Sequence, residues 1–154
     1  MKTKSKSKGK LLICAALVML LAGFTFSTAG AVTYYQQINL ASDGFVPAAN
    51  TDPNLINPWG ISYAPTSPFW VSDNGTGVST LYNGSGQPFP VGSPLVVTLA
   101  PAIGSSSPSR PTGQVFNGTS DFQVTPGNPA RFLFATEDGT ISGWNPAAAS
   151  TTAI

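Results

Sequence analysis

From Val32 onward, a Gly or a Pro interrupts almost every window of a dozen residues. Glycine costs backbone entropy in a helix, and proline removes a donor and clashes with the preceding turn, so this punctuation denies the chain helices of useful length. No stretch carries apolar residues at i, i+3, i+4 and i+7 over three turns, which removes the amphipathic alternative as well. What remains between the breakers are short runs rich in β-branched and aromatic residues. They are Tyr34–Leu40, Gly60–Tyr63, Phe69–Ser72, Val78–Tyr82, Leu95–Leu99, Gly113–Phe116, Arg131–Thr136 and Thr140–Trp144. Asp43-Gly44, Asn74-Gly75, Asn83-Gly84, Asn117-Gly118 and Asp138-Gly139 stand between or beside them, and such pairs supply the positive φ angles of tight hairpins. The pattern predicts an all-β chain, with the Ser/Pro-rich stretch Ala100–Pro111 as its one long loop.

Charge sharpens the reading. All five lysines precede residue 11, in a basic start that leads into the apolar run Leu11–Phe26 and then Ala29 and Ala31, spaced as the small residues of an export cleavage site. The run is too short for a stable membrane span, so residues 1–31 read as a signal peptide cut after Ala31, and 32–154 as the working domain. The expected location is the periplasm, the envelope or the exterior, with surface attachment through a further C-terminal signal. In 32–154 two arginines stand against six carboxylates, a net charge of −4. A nucleic-acid binder needs a basic face, so that class is excluded. The same segment has no Cys, His or Lys. A disulfide, a Ser-His-Asp triad, a Cys-His pair, a His/Cys zinc site and a Schiff base all fall with them. Carboxylate chemistry, a hard metal held by oxygen, or binding without chemistry is left.

The chain also repeats itself. Pro58-Trp59-Gly60-Ile61-Ser62-Tyr63 leads to Trp70–Thr76 and then to Val78–Asn83. Pro111-Thr112-Gly113-Gln114-Val115-Phe116 leads to Phe134–Thr140 and then to Ile141–Asn145. Each unit is Pro-x-Gly, a strand, a variable loop, a strand ending at acidic turn residues, and a hairpin. A period of this size holding three or four strands is the mark of propeller blades.

The unit resembles an NHL-type propeller repeat, and the runs Ala48–Gly60, Phe69–Asn83, Pro111–Ser120 and Ala130–Pro146 resemble a family of secreted bacterial proteins. That resemblance implies a β-propeller longer than this chain, in some members with a PEP-CTERM-type sorting signal, and it carries no activity or catalytic residue. The expected fold is therefore roughly two blades of a propeller that continues past Ile154, with a small β-sandwich-like domain as the alternative. In a closed ring Tyr34–Leu40 would pair with the last blade.

Asp73-Asn74 and Glu137-Asp138 hold equivalent places in the two units. They read either as hairpin residues or as oxygen donors at one mouth of a ring, for a sugar or for calcium. Asp43, Asn50, Asp52 and Asn54 offer a second set of oxygens without the order of an EF-hand loop. Asp73 with Glu137 is a conceivable carboxylate pair for glycoside hydrolysis. Trp59 reads as a surface ring, whereas Trp70 and Trp144 read as filling between blades. The expected role is a binding or scaffolding module for an envelope polymer, a carbohydrate or a protein, completed by further blades or by self-association. The alternative is a propeller enzyme, a calcium-dependent lactonase or a carbohydrate-active hydrolase, with its site largely in other blades.

Overall fold

The computed structural model describes residues 35–147 and 151–153, so the signal segment, with Ala29 and Ala31, lies outside the described residues. The chain divides after Gln36, and the larger unit, from Gln37 to Ile154, holds all the strands among the described residues. Short strands β1 (Ala41–Ser42) and β2 (Asn50–Thr51) pair in parallel. Strands β3 (Pro58–Ser62), β4 (Phe69–Asp73), β5 (Val78–Tyr82) and β6 (Val96–Thr98) then form an antiparallel sheet in chain order. The second large sheet runs β7 (Pro111–Phe116), β10 (Phe132–Thr136), β11 (Ile141–Trp144) and β12 (Thr152–Ala153). Between β7 and β10 lies a small hairpin, β8 (Gln123–Thr125) with β9 (Asn128–Pro129). The architecture is all-β, and among the described residues no sheet closes into a barrel and no helix is long and apolar enough to cross a membrane.

Seven of the eight expected strands form within a residue or two of their predicted limits. Tyr34–Leu40 does not: Tyr34 lies outside the described residues, and residues 35–40 have no strand pairing. Tyr35 and Ile38 are exposed there, so no apolar face holds that run against a sheet. The Asn-Gly pairs also work differently from expectation. The Asp-Gly pairs behave as expected, with positive φ at Gly44 and Gly139, whereas near Asn74 and Asn83 positive φ falls on Gly77 and Gly86, two residues beyond the expected Gly75 and Gly84. Asn83 and Asn117 instead use their side-chain oxygens to hold downstream backbone amides at Ser85, Gln87 and Thr119. These asparagines make turns with their amide groups, leaving the left-handed conformation to glycine.

The two large sheets pack face to face around Trp70, Leu81, Val97 and Leu99 from the first and Phe132, Phe134 and Trp144 from the second. Trp70 stacks on Phe132 with centroids 4.2 Å apart and meets Trp144 at 4.8 Å. Ser79 Oγ donates to Gln114 Oε1 across the same seam at 2.9 Å.

The two faces in contact are not equivalent. Strand registers place Phe69, Val71 and Tyr82 of the first sheet where Phe132, Phe134 and Trp144 stand in the second. The second sheet turns that face inward, whereas the first sheet turns its opposite face, with Trp70, Ser72 and Leu81, toward its neighbour. The packing is head to tail.

Both remaining faces are rich in apolar residues. Ile61 (68% exposed), Tyr63 and Phe69 lie on the outer side of the first sheet, and Val115 and Ile141 on that of the second. The segment before β3 covers part of the former: Tyr82 Oη donates to Asp52 Oδ2, and the Gly75 amide donates to the Ile56 carbonyl.

The first strands of the two sheets approach each other closely at a pair of glycines. A Cβ on Gly60 would stand 3.0 Å from the Cα of Gly113, whereas a Cβ on Gly113 meets nothing within 4 Å. Gly60→Ala must push one backbone off another, and overpacking of this kind costs about 1–3 kcal/mol. Chemical denaturation of the two single variants is expected to show a clear loss for Gly60→Ala and little change for Gly113→Ala.

Candidate functional site

The β4–β5 and β10–β11 turns lie at one end of the sheets, together with the β6–β7 loop and the segment entering β3. Glycine in the left-handed region closes each turn, at Gly77 and Gly139. Asn74, buried just after β4, stitches the two turns together across 63 residues of sequence: its Nδ2 donates to Glu137 Oε1 at 2.7 Å. The same amide lies 3.3 Å from the Pro111 carbonyl, and its Oδ1 accepts from Asn57 Nδ2 at 3.2 Å. Asn57 holds a φ of 50°. Arg110 completes the arrangement, its guanidinium donating to the carbonyls of Asn74 and Gly75 at 3.0 Å each. The Glu137 amide returns a bond to the Arg110 carbonyl. Glu137 and Asp138 stay exposed on this surface.

Asp138 spends one oxygen on its own turn, accepting from Thr136 Oγ1 at 2.6 Å and from the Thr140 amide at 3.0 Å. The neighbouring Ser109 hydroxyl, followed by these two groups, holds its carboxyl well below the usual carboxylate range.

Asp73 faces elsewhere. It is fully buried on the outer side of the first sheet, where Oδ2 accepts from Thr80 Oγ1 at 2.7 Å and Oδ1 has no partner among the described residues. Burial pushes its pKa up to about 7, against the Thr80 bond and with help from the charge of Asp52. Tyr82 beside it is also shifted upward, first by burial and further by its bond to Asp52.

The structure thus joins Asn74 to Glu137, sets Asp138 on the same surface, and withdraws Asp73 behind the sheet. Asp73 and Glu137 do not face a common space, which removes the geometry a glycosidase pair requires. In the Asp43–Asn54 segment both carboxylates are engaged: Asp43 caps the Phe45 amide, and Asp52 accepts from Asn54 and Tyr82. Among the described residues, no three Asp or Glu groups converge as metal ligands. Trp59 lies half exposed on β3, two residues from Asn57, whereas Trp70 and Trp144 are buried between the sheets. Asn57 and Arg110 escaped the sequence reading. The available signal was that Arg110 is one of only two cations after residue 31.

Two uncharacterised proteins of Acanthamoeba polyphaga mimivirus are each 35% identical to this chain over 124 residues. The alignments cover 79% of this chain but 29% and 31% of those proteins, so the chain spans less than a third of the relatives it matches. No family model and no solved structure matches. These viral relatives overturn the expected membership of a bacterial family with PEP-CTERM signals. The motifs behind that expectation encode strand openings and hairpin turns, which any lineage building the same repeat must use.

Asp73 gives the fold a pH dependence of definite sign. Its folded pKa lies above the unfolded value of 3.8, so the folded state keeps a proton that the unfolded chain releases. Stability from this group is complete below pH 4, falls as the pH rises toward 7, and is flat above. The three-unit difference corresponds to about 4 kcal/mol at most. Asp138 acts in the opposite sense, and only below the usual carboxylate range. Urea midpoints are expected to fall between pH 4.5 and 8 in the parent chain, and Asp73→Asn is expected to flatten that slope.

Proposed function

We propose that the two large sheets are consecutive blades of a β-propeller, and that the protein is a carbohydrate-binding module whose binding surface is the turn end of those blades. The head-to-tail packing carries the blade reading. Non-equivalent faces meet, as in a ring of repeated units, whereas a two-fold sandwich joins like faces. The exposed apolar residues Ile61, Tyr63, Val115 and Ile141 support it, since each sits where a neighbouring unit would cover it. The bare chain is expected to self-associate through these faces. Sedimentation velocity on the Val115→Glu/Ile141→Glu double variant should then show a shift toward monomer without loss of thermal stability. A parent chain that is already monomeric would count against uncovered blade faces.

The turn end combines a half-exposed indole with amide, guanidinium and carboxylate groups, the set that stacks on sugar rings and bonds to hydroxyls. Asn74 and Arg110 fix the Glu137 backbone and carboxylate, so this surface is ordered in advance. A site in contact with wall polymers or glycans agrees with an exported chain. In native gels containing soluble envelope polysaccharides or β-glucans, the parent protein is expected to be retarded. Trp59→Ala should abolish the retardation, and Glu137→Gln should weaken binding by about tenfold through loss of a charge-assisted bond. Mobility independent of every polysaccharide would reject the carbohydrate reading.

A further inference from the structure

At the opposite end of the sheets, residues of the β3–β4, β5–β6 and β9–β10 connections, with Pro146 beyond β11, line a cavity of about 340 Å³. This is the small end of the range for ligand pockets. Its walls are aromatic and aliphatic: Trp70, Phe132, Trp144 and Phe116 on the inside, Phe89 and Leu95 toward the β5–β6 loop. One charge borders it. Arg131 is exposed, and its guanidinium lies 5.8 Å from the centroid of the Phe116 ring. Among the described residues it makes no side-chain hydrogen bond, in contrast to Arg110, which is tied to two carbonyls. Both Arg131 backbone groups are engaged, its amide with the Trp144 carbonyl and its carbonyl with the Asn117 amide. The side chain is thus anchored at its root while its donors stay open.

The remaining polar groups argue about the occupant, and of these only exposed Thr66 offers a hydroxyl at the rim. Ser67 Oγ already bonds the Ala64 amide and the Pro68 carbonyl. The indole nitrogens of Trp70 and Trp144 are sealed inside the wall, with no acceptor among the described residues and no surface open to the cavity. A polyhydroxylated ligand would leave most of its hydroxyls unpaired here, at a cost in affinity. A flat apolar body with one anionic group matches both features, since the guanidinium fork pairs with a carboxylate through two parallel bonds.

We infer that this cavity binds a small planar aromatic carboxylate, its ring among Trp70, Phe116 and Phe132 and its carboxylate on Arg131. The site is separate from the turn-end surface and does not depend on its function.

The test uses the full chain and three probes of one shape: naphthalene carboxylate, the neutral carboxamide, and the cationic naphthylmethylamine. Binding is followed through the indole N–H resonances, with Trp59 as an internal control outside the cavity. The carboxylate is expected to shift Trp70 and Trp144 saturably and to leave Trp59 in place. Loss of the charge-assisted pair should weaken the carboxamide by about tenfold or more relative to the carboxylate. Arg131→Gln should lower carboxylate affinity to that of the carboxamide without changing carboxamide affinity, and Arg131→Lys should fall between. Since this side chain is exposed, an unchanged melting temperature separates loss of binding from loss of fold. Equal affinity for all three probes, indifference to Arg131→Gln, shifts confined to Trp59, or no saturable shift would each overturn the inference.

Discussion

The two large sheets depend on one seam, the aromatic contact in which Trp70 lies flat on Phe132 and against Trp144. Each four-stranded sheet has an apolar face that gains stability only when it is taken out of water, and the seam is where that happens. With no disulfide after residue 31 and few charged pairs to draw on, burial between the two sheets is the main source of stability. The glycine at position 60 lets β3 and β7 close up at one edge of the seam, and Leu81, Val97 and Leu99 fill it farther from that edge. The polar turn end stands on this foundation: Asn74 reaches Glu137 because the seam holds the two sheets in register.

Much of the fold is legible in the residues themselves. The repeat Pro-x-Gly, strand, loop, strand, acidic turn, strand maps onto β3–β5 and β7–β11, and the structure supplies a fourth strand in each sheet. Glycine and proline spacing reports backbone geometry directly, and for that reason it survives into the fold. Trp59, set between Pro58 and Gly60, could be told from Trp70 and Trp144 by its neighbours in the sequence, although which sheet face each buried indole takes could not.

The rest was hidden for physical reasons. Whether a carboxylate faces water or core depends on strand parity and on what covers the sheet. Asp73 and Asn74 are adjacent in sequence, yet one is sealed against Thr80 while the other bridges to Glu137. The cover over Asp73 comes from Asp52 and its neighbours, a segment with no strong periodic signal. Asn57 and Arg110 lie in connections, where no pattern announces that a carbonyl 36 residues away will be the partner. The Asn-Gly pairs misled in an instructive way: asparagine serves a turn either through its own φ angle or through its side-chain oxygen, and sequence does not distinguish the two.

Head-to-tail contact also has an arithmetic of its own. When like faces meet, two units satisfy each other and the series ends. When unlike faces meet, a third unit covers one open face and presents the same kind of face again, so the number of uncovered faces stays at two however many units are added. Only a rotation that brings the last unit back to the first removes both. Duplication of such a segment therefore meets a ready-made interface at every copy, and the angle between neighbouring sheets, rather than any single residue, determines how many copies make a finished object.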